Sequence, residues 1–424
     1  MNQYVLSLGS NLSPRKDHLQ TALVKLSECS TLRKVSPLFE NPPLLPPGAP
    51  ESWYQFFLNT AVWIETELAP EALLDQLHAL ERAAGRTADR TTWSPRPLDI
   101  DIILQLSKNG DSLTYQSPRL QIPHPAWEQR NFVVTPMMHL LKGTPAGATL
   151  SIVKKHRELK NPLCVFSAVL NATPDSFSED PQSQEALPNK MQRLLNLHPA
   201  LLDLGAESTR PGAQLLTPDE EWTRLEPLLS QWKEIKPSYP FTQLSLDTRH
   251  AQTAERALSY NVSVLNDVGG LVSPKMQEAA AHFDSTILMH SLSVPADPKT
   301  VLPTTQNPTT ELKSWLEKKM STLPQNLLAK IIFDPGIGFG KTPLQSLSLL
   351  QDLNEFKSYD LPLLIGHSRK SFMNLWCGET FSQRDFETLG VSAQLFSQVE
   401  YLRIHNLEAH QRLQKSQLAL AGAL

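Results

Sequence analysis

Eight short apolar runs in the second half of the chain constrain its fold more than any other feature. Each run is rich in leucine, isoleucine or valine with little alternation, which is typical of parallel strands covered on both faces. Helix-like segments such as TPDEEWTRLEPLLSQW lie between the runs LCVFSAVLN, LLDLGAES, LSLDT, VSVLNDVGG, TILMHS, IIFDPGIGFG, LPLLIGHS and LRIH. Eight such units in about 260 residues match the size of a (β/α)8 barrel, the TIM barrel. We predict this fold for residues 161–424.

The first half of the chain has a different pattern, in which the strand-like runs YVLSLGS, FLNTAVWIE and DIDIILQL alternate with two amphipathic helices. Ser13 as N-cap and Pro14 at the first helical position predict the start of the first helix. Its buried face is expected to carry Leu19, Leu23 and Leu26. The second helix is predicted from Pro70 to a left-handed glycine at Gly85. We predict a compact α+β sandwich over residues 1–158.

Length and charge narrow the class of protein. A chain of 424 residues is long for one hydrophobic core, so two domains are expected, with a linker in the aperiodic stretch 142–162. The 39 basic and 43 acidic residues are interspersed, and we expect no binding to nucleic acid or membranes. The three cysteines are too far apart for a Cys-x-x-Cys motif and are expected to be reduced thiols. Without a leader pattern or a long apolar run, a cytoplasmic location is expected.

Polar residues stand at the end of every predicted barrel strand, where the active site of this fold lies. They are Asn171, Glu207 to Arg210, Asp247, Asn266, His290, Asp334, Ser368 to Lys370, and Arg403 with His405. A single residue of this kind often only caps the following helix. Because all eight strands end this way, we predict a functional site.

The residue types indicate which ligand this site would take. Arg403 and His405 are two apart on one strand, so they face the same side and can hold a phosphate. Asn171 can supply a neutral oxygen to a magnesium ion that bridges this phosphate. Asp334 can accept paired N–H bonds from an amino-substituted ring, with Lys370 as a donor and Asn266 as both. The glycines after Asp334 lack the Gly-Lys-Ser/Thr ending of a P-loop and are interpreted as allowing close backbone approach.

The motifs LNATPDSFS, DLGAESTRPGA, NDVGG, DPGIGFGKT and GHSRKSF, in this order, resemble dihydropteroate synthase across residues 161–410. That family condenses 6-hydroxymethyl-dihydropterin pyrophosphate with p-aminobenzoate and releases pyrophosphate. The resemblance implies catalytic roles for Asp247 and Lys370 and one magnesium ion at Asn171. It implies substrate contacts at Thr209, Arg210, Asp247, Asn266, Met289, Asp334, Gly366, Ser368, Lys370, Arg403 and His405. The first loop departs from the family, because it reads SFSEDPQ where Ser-Asp-Gly-Gly is usual.

The sharpest local signal in the first half is RPLDIDIIL, in which Asp99 and Asp101 project from the same face of a strand. Two adjacent carboxylates suit Mg²⁺ on nucleotide phosphates. The alternative is a solvent-facing strand that merely carries charge. The neighbouring basic residues favour the metal site, since they can neutralise a triphosphate; they are Arg86, Arg90, Arg96 and Arg130, with His124 nearby in sequence.

These residues, with SLGSNL, NPPL, FLNTAV and HPAWEQRNFVVTPM, resemble 6-hydroxymethyl-7,8-dihydropterin pyrophosphokinase, a ferredoxin-like α+β fold, over residues 2–140. That family transfers pyrophosphate from ATP to the pterin alcohol and forms AMP. The resemblance implies two magnesium ions on Asp99 and Asp101, with Arg96 also catalytic. It implies ATP contacts at Glu81, Arg86, Arg96, Ile102, His124 and Arg130, and pterin contacts at Pro43, Leu44, Phe57, Asn59 and Phe132.

Two further features of the first half bear on this resemblance. The proline-rich segment 41–50 is expected to form a semi-rigid lid near the pterin pocket. Ala88 stands where the family often has a second arginine, a contact that Arg90 can replace, whereas Trp93 in the following loop matches the family.

Together the two resemblances imply a bifunctional enzyme of folate biosynthesis whose first domain makes the substrate of the second. The expected partners are ATP, 6-hydroxymethyl-7,8-dihydropterin, p-aminobenzoate and a second copy of the chain, paired through the barrel. A pterin-binding methyltransferase is the main alternative for the barrel, but it gives no reason for ESTRPGA, SRKS and the Arg-x-His pair. A second alternative is that one domain is catalytically inactive and serves binding or assembly.

Overall fold

The computed structural model describes residues 1–86, 93–141, 144–147, 164–173, 186–207, 215–297, 299–378, 380 and 383–422. The chain divides into two compact units. One unit comprises Met1–Leu163 with Arg412–Leu424, and the other comprises Cys164–Gln411. The predicted linker at 142–162 lies outside the described residues apart from 144–147, so the predicted domain boundaries stay a prediction.

The first unit is built on an antiparallel sheet with the strand order β2-β4-β1-β5-β6, with β3 paired to β4. The strands are β1 (Asn2–Ser10), β2 (Thr31–Val35), β3 (Phe39–Asn41), β4 (Phe57–Thr66), β5 (Asp99–Leu106) and β6 (Ser112–Leu113), with a separate pair β7 (Tyr115–Gln116) and β8 (Gln121–Ile122). The helices are α1 (Arg15–Ser27), α2 (Pro70–Ala83) and α3 (Asn131–Leu141). Helices between β1 and β2 and between β4 and β5 complete the ferredoxin-like pattern, which confirms the predicted fold.

The helices of this unit pack as their sequences predict, with two differences. Leu19, Leu23 and Leu26 of α1 are buried, as are Leu73 and Leu77 of α2. The prediction that Ser13 caps α1 is wrong. Pro14 itself occupies the cap position in extended backbone, so Ser13 lies one residue outside the helix and no side chain caps it. Helix α3 was not predicted, because Pro136 in its interior argues against a helix, yet apolar packing holds it.

The second unit is an eight-stranded parallel barrel. Its strands are β9 (Val165–Asn171), β10 (Leu201–Gly205), β11 (Gln243–Asp247), β12 (Val264–Asp267), β13 (Ser285–Met289), β14 (Ile331–Asp334), β15 (Leu364–Ile365) and β16 (Tyr401–Ile404). They follow the order β14-β13-β12-β11-β10-β9-β16-β15. A parallel bridge between Phe333 and Leu363, with Phe333 N–H donating to the Pro362 carbonyl at 2.8 Å, joins the two ends of this order. The predicted TIM barrel and all eight of its strands are confirmed.

Helices cover the outside of this barrel. They are α4 (Leu187–Asn196), α5 (Pro218–Ile235), α6 (Ala251–Ala257), α7 (Pro274–Ala280), α8 (Pro308–Thr322), α9 (Gln325–Leu328), α10 (Pro343–Gln351) and α11 (Asp385–Leu395). The last helix, α12 (Leu407–Gly422), begins in this unit and belongs to the first unit from Arg412 onwards. Among the helices described, none is long and apolar enough to cross a membrane. The expected cytoplasmic location stays a prediction.

The strand register determines which side chains meet at the mouth of the barrel. Gly205 at the end of β10 is level with Asn171 on one side and with Asp247 on the other. Asp247 is in turn level with Asn266. Because the carboxyl ends of neighbouring parallel strands share one edge, the polar residues predicted at strand ends are brought into one region.

Candidate active sites

The predicted carboxylate pair of the first unit lies among arginines. Asp99 and Asp101 are both partly exposed on β5. Asp99 Oδ1 accepts from Arg86 Nη1 at 2.9 Å and from Arg96 Nη1 at 3.0 Å. Arg130 Nη1 lies 3.9 Å from Asp101 Oδ2. The structure therefore brings together the two carboxylates and three of the arginines predicted to surround a triphosphate.

The electrostatics of this pair favour a cation. Partial burial and the negative charge of Asp99 raise the pKa of Asp101. Burial likewise raises the pKa of Glu81, whose Oε1 accepts from the Ile100 N–H at 2.9 Å and from Arg86. Oxygen ligands suit magnesium, and Mg²⁺ usually takes one or two carboxylates together with waters and substrate phosphates. The described residues contain no group of three or more histidine, cysteine or acidic side chains arranged for a metal.

Phe57 and Asn59 of β4 lie on the far side of β1 from the carboxylates of β5, because β1 is the strand between them. Gly9 is level with Asn59 on one side and Asp99 on the other. A Cβ at Gly9 would lie 2.9 Å from Asn59 Oδ1 and 3.5 Å from Phe57 Cδ1, so both side chains lie close over the backbone of Gly9. Asn59 is buried and donates to Asn41 Oδ1, which orients its amide. Phe57 and Asn59 thus lie together near Asp99, as a pterin pocket requires.

The remaining predicted residues of this unit are partly within the described part of the chain and partly outside it. Pro43 is buried and Leu44 is 56% exposed in the proline-rich segment. Phe132 packs against the hydrophobic core under α3, and Ile102 is buried. His124 donates its backbone N–H to the Ile103 carbonyl at 2.9 Å, and its buried Nδ1 has no hydrogen-bond partner among the described residues. Ala88 and Arg90 lie outside the described residues, whereas Trp93 is exposed.

Asn11 is a functional candidate that the sequence analysis missed. Its Oδ1 accepts from the Arg96 N–H at 2.7 Å, and its own N–H donates to the Arg96 carbonyl at 3.2 Å. This two-way contact positions Arg96 over Asp99. The motif SLGSNL marks the position in the sequence, but nothing local indicates a partner 85 residues away.

The mouth of the barrel is centred on the guanidinium of Arg403. Its Nη1 lies 3.5 Å from Asp203 Oδ2, and its Nη2 lies 3.5 Å from Asp334 Oδ2. The side chain is only 12% exposed. A Cβ at Gly366 would lie 3.0 Å from Nη2 of this arginine, so only a glycine leaves it room. Arg403 is therefore held between Asp334, which was predicted to bind the heterocycle, and Asp203, which was not predicted.

Asp203 is the site residue of the barrel that the sequence analysis missed. It is buried on β10 and accepts from Ser245 Oγ at 2.7 Å and from Asn266 Nδ2 at 3.1 Å. Because Nδ2 is bound to Asp203, the Asn266 amide is oriented, and its buried Oδ1 has no protein partner among the described residues. A carboxylate inside the otherwise apolar run LLDLG was the available signal.

Burial controls the ionisation of these groups. It raises the pKa of Asp247 well above its ordinary value, and the neighbouring Asp203 raises it further. Burial also raises the pKa of Asp334, against the opposing charge of Arg403. For Arg403 burial alone would lower the pKa, but Asp334, Asp203 and Asp247 outweigh it and raise the pKa. The mouth of the barrel thus has more hydrogen-bond acceptors than cationic donors, which suits a ring rich in N–H groups.

Lys370, Ser368 and His405 lie at the ends of β15 and β16, and the charge of Lys370 acts on Asp334. Lys370 Nζ is 4.2 Å from the centroid of the Phe339 ring, a cation–π distance. Ser368 is buried, and its Oγ lies 2.9 Å from His405 Nδ1. Met289 packs with Phe339 in a small buried cluster. The predicted residues of the fifth to eighth strands are therefore brought together.

Four predicted positions differ from this group. Thr209 and Arg210 lie outside the described residues. His290 is not available as a ligand, because it is buried with Lys341 Nζ 2.6 Å from its Nδ1, and burial lowers the pKa of His290 to about 3. Glu207 forms an ion pair with Arg249 at 2.7 Å and accepts from the Leu216 N–H at 2.7 Å.

Family models and known proteins match both units. A model described as 7,8-dihydro-6-hydroxymethylpterin-pyrophosphokinase (HPPK) matches residues 5–142, and one described as pterin binding enzyme matches residues 167–405. The folate synthesis bifunctional protein of Chlamydia muridarum (strain MoPn / Nigg) is 33% identical over 443 residues, covering 97% of each chain.

Solved structures resemble the barrel. The dihydropteroate synthase of Anaplasma phagocytophilum with bound 6-hydroxymethylpterin-monophosphate has a TM-score of 0.54 and 31% identity, covering 61% of this chain and 99% of that chain. Xanthomonas albilineans dihydropteroate synthase with 4-aminobenzoic acid has a TM-score of 0.53 and 26% identity, covering 61% and 93%.

A parallel barrel with a carboxylate-lined mouth, joined to an antiparallel domain with a carboxylate pair, defines a two-domain pterin transferase. The chain belongs to the family of bifunctional folate synthesis proteins. Its first domain is a hydroxymethyldihydropterin pyrophosphokinase, and its second is a dihydropteroate synthase. Both predicted resemblances are confirmed, and the synthase prediction is confirmed over the methyltransferase alternative.

Proposed function

We propose that both sites of this chain are active and that the first is organised by Asp99 and Asp101. The observation that carries this proposal is the carboxylate pair held among Arg86, Arg96 and Arg130 at distances of 2.9, 3.0 and 3.9 Å. Two magnesium ions bound with ATP at this pair would neutralise charge on the phosphates. Arg96 would bind phosphate oxygens once the metal ions have taken over its carboxylate partner.

In the first domain the pterin alcohol would lie beside Phe57 and Asn59, which meet over Gly9. Asn59 would bind its polar edge through the amide that Asn41 orients, while Phe57 contacts a ring face. This arrangement would direct the exocyclic hydroxyl towards the Asp99 end of β5. Glu81, Ile102 and His124 would line the ATP side, and Pro43, Leu44 and Phe132 the pterin side.

In the barrel the pterin ring would bind among the buried acceptors around Arg403. The Anaplasma phagocytophilum synthase that resembles this barrel carries a bound pterin monophosphate, which supports a pterin here. N–H groups of the ring would donate to Asp334, Asp247 and the oriented Oδ1 of Asn266, while Arg403 and Lys370 would donate to ring acceptors. Met289 and Gly366 would contact the ring faces.

The charge distribution supports departure of pyrophosphate before the amine attacks. Carboxylates around the ring stabilise positive charge that develops on the exocyclic carbon, with Asp247 as the nearest proposed group. Arg403 and His405 would hold the leaving pyrophosphate, and one magnesium ion at Asn171 would supply further positive charge. Ser368 would contact p-aminobenzoate, a ligand that the Xanthomonas albilineans synthase binds. Thr209 and Arg210 would close the site against water.

The direct test supplies the purified chain with pterin alcohol, ATP, magnesium and p-aminobenzoate, and dihydropteroate is the expected product.

Asp101→Asn should lower AMP formation by about 100-fold or more, because it removes a metal ligand. It should leave condensation of supplied pterin pyrophosphate unchanged. Asp111→Asn, an exposed carboxylate of the same domain, serves as the control. AMP formation that survives Asp101→Asn would show the metal assignment to be wrong.

Lys370→Ala should have the reverse effect, with condensation lost and AMP formation kept. Lys313→Ala removes an exposed ion pair of the same domain and is the matched control. If either domain is inactive in the unaltered chain, the alternative of a domain kept only for binding is correct.

We also propose that two chains pair through the barrel. Phe386 on α11 is 83% exposed and Trp376 is 50% exposed, and a hydrogen bond between Arg384 and Asn374 joins their segments. Contiguous exposed apolar patches mark interaction surfaces, and we propose that these two side chains belong to one. Phe386→Glu should convert a dimer to a monomer in light scattering, whereas Val272→Glu should not. A wild-type monomer would refute this proposal.

A further inference from the structure

Arg369, the residue between Ser368 and Lys370, forms hydrogen bonds with residues at the start of α11. Arg369 has φ +60°, a left-handed conformation that non-glycine residues adopt uncommonly. Its backbone N–H donates to Thr388 Oγ1 at 3.0 Å, and its carbonyl accepts from Arg384 Nη1 at 3.2 Å. Both backbone polar groups of Arg369 are thus bound by residues of one helix turn.

Asp385, the first residue of α11, binds the guanidinium of Arg369 at two points. Arg369 Nε donates to Asp385 Oδ1 at 2.7 Å, and Nη2 donates to Oδ2 at 3.2 Å. A bidentate pair fixes orientation as well as distance. Both side chains are largely shielded from solvent. Arg369 is therefore engaged by a carboxylate of its own domain, although it neighbours a predicted anion site.

Asp385 also binds the segment that carries His405. Its Oδ2 accepts from Asn406 Nδ2 at 3.0 Å, and Asn406 follows His405 directly in the chain. His405 Nδ1 lies 2.9 Å from Ser368 Oγ. Asp385 therefore connects the ends of β15 and β16 behind the two side chains that meet at the mouth of the barrel.

The local backbone explains why a side-chain link is needed. Strand β15 is only two residues long and pairs with β16 at Leu364 and Ile365 alone. Few ladder hydrogen bonds hold the segments beyond it in register, so their relative position depends on side chains. Burial would raise the pKa of Asp385, but hydrogen bonds from Arg369 and Asn406 outweigh it and lower the pKa, which keeps the carboxylate ionised.

We propose that Asp385 is a positioning residue of the synthase reaction. By binding Arg369 and Asn406 at once, it sets the separation of Lys370 and His405. This inference rests on the proposed substrate roles of Lys370 and His405. Asp385 itself touches neither substrate, so its effect on the reaction passes through the two residues that it binds.

The test is Asp385→Asn in the full chain, with both reactions measured on one preparation. The side-chain shape is kept but the charge is lost, so kcat for condensation should fall by about 10- to 100-fold through misplaced groups. AMP formation should stay at the wild-type rate, which shows that the chain remains folded. Asp219→Asn, which removes the carboxylate of an exposed ion pair in the same domain, should change neither reaction.

A double-mutant cycle separates positioning from a general loss of structure. Because Asp385 acts through Asn406 as well as Arg369, condensation by the double variant Asp385→Asn with Arg369→Gln should fall by less than the product of the two single losses. Independent, multiplying losses would overturn the inference. Condensation by Asp385→Asn within about twofold of the wild type would also overturn it.

Asn406→Asp is a second variant that tests the inference without removing the contact that Asn406 makes at the start of α12. An aspartate retains the oxygen that accepts from the Ala409 N–H at 3.2 Å at the start of α12, but it loses the donor to Asp385. Condensation should again fall with AMP formation kept, and an unchanged rate would contradict the inference. If Lys370→Ala condenses normally, the proposed function of that site fails instead, whatever Asp385→Asn does.

Discussion

At the residue scale, the barrel site depends on a carboxylate that lies one level below the strand ends. Asp203 is level with Ser245 on the neighbouring strand and binds its hydroxyl. It also orients the Asn266 amide and pairs with Arg403. A buried amide whose orientation is set by the protein presents one defined acceptor to a ligand, which is a source of specificity. Asp203 therefore prepares the site for a ring with a matching donor.

Asp203→Asn should impair pterin binding more than turnover. The new amide can donate as well as accept, so the orientation of Asn266 is no longer determined, and Arg403 loses one charged partner. We expect the KM for pterin pyrophosphate to rise by about 10- to 100-fold, from the loss of one or two good hydrogen bonds. Steady-state kinetics with saturating p-aminobenzoate measures this. An unchanged KM would mean that the orientation of Asn266 does not matter for binding.

At the element scale, several helices and strands could be predicted because their signals are local. Helix α5 begins with a capping box in which Thr217 and Glu220 exchange hydrogen bonds, and Pro218 occupies its first turn. Helix α3 could not be predicted, since the packing that tolerates Pro136 comes from residues distant in sequence. The run LPLLIGHS predicts a strand, but only Leu364–Ile365 form it.

Helix α5 also buries Glu221, which gives the barrel a specific pH dependence. Its Oε2 accepts from Thr248 Oγ1 at 2.8 Å, and burial raises its pKa to about 7 from an ordinary value of 4.5. The folded state retains this proton where the unfolded state has lost it. The stability contributed by the proton is therefore complete below pH 4.5 and lost as the pH rises to about 7.

Glu221→Gln should remove this dependence, because glutamine has no proton to lose. Relative to the wild type, the variant should gain about 3 kcal/mol of unfolding free energy between pH 4.5 and pH 7, as an order of magnitude. Urea unfolding of both proteins across this range measures the difference. A difference that stays constant with pH would show that Glu221 titrates normally.

At the scale of the whole molecule, two compact units with separate cores carry two consecutive reactions. The product of the first unit is the substrate of the second, so each site makes the assignment of the other more secure. The carboxylate pair of the first unit lies among three arginines. The barrel instead surrounds one arginine with carboxylates. These opposite arrangements suit the attachment and the departure of the same anionic group.

Separate sites predict separate responses to ligands. Magnesium with a non-hydrolysable ATP analogue at about 100 times its dissociation constant should stabilise the first unit by about 2.7 kcal/mol. Calorimetry should show one unfolding transition that moves to higher temperature and one that does not. Asp101→Asn should abolish the shift, while Lys370→Ala should leave it intact. If both transitions moved together in the wild type, the units would not unfold independently.

The sequence by itself determined the features that repeat along short stretches. The apolar runs predicted all eight barrel strands, the alternation in DIDIILQL placed Asp99 and Asp101 on one face, and strand-end positions identified Asp247, Asn266 and Asp334. Only the tertiary structure decided the partners of these residues. Arg403 meets Asp203 across 200 residues, and Asn11 meets Arg96 across 85, because barrel closure and strand register create those contacts. Local periodicity carries no information about such pairs.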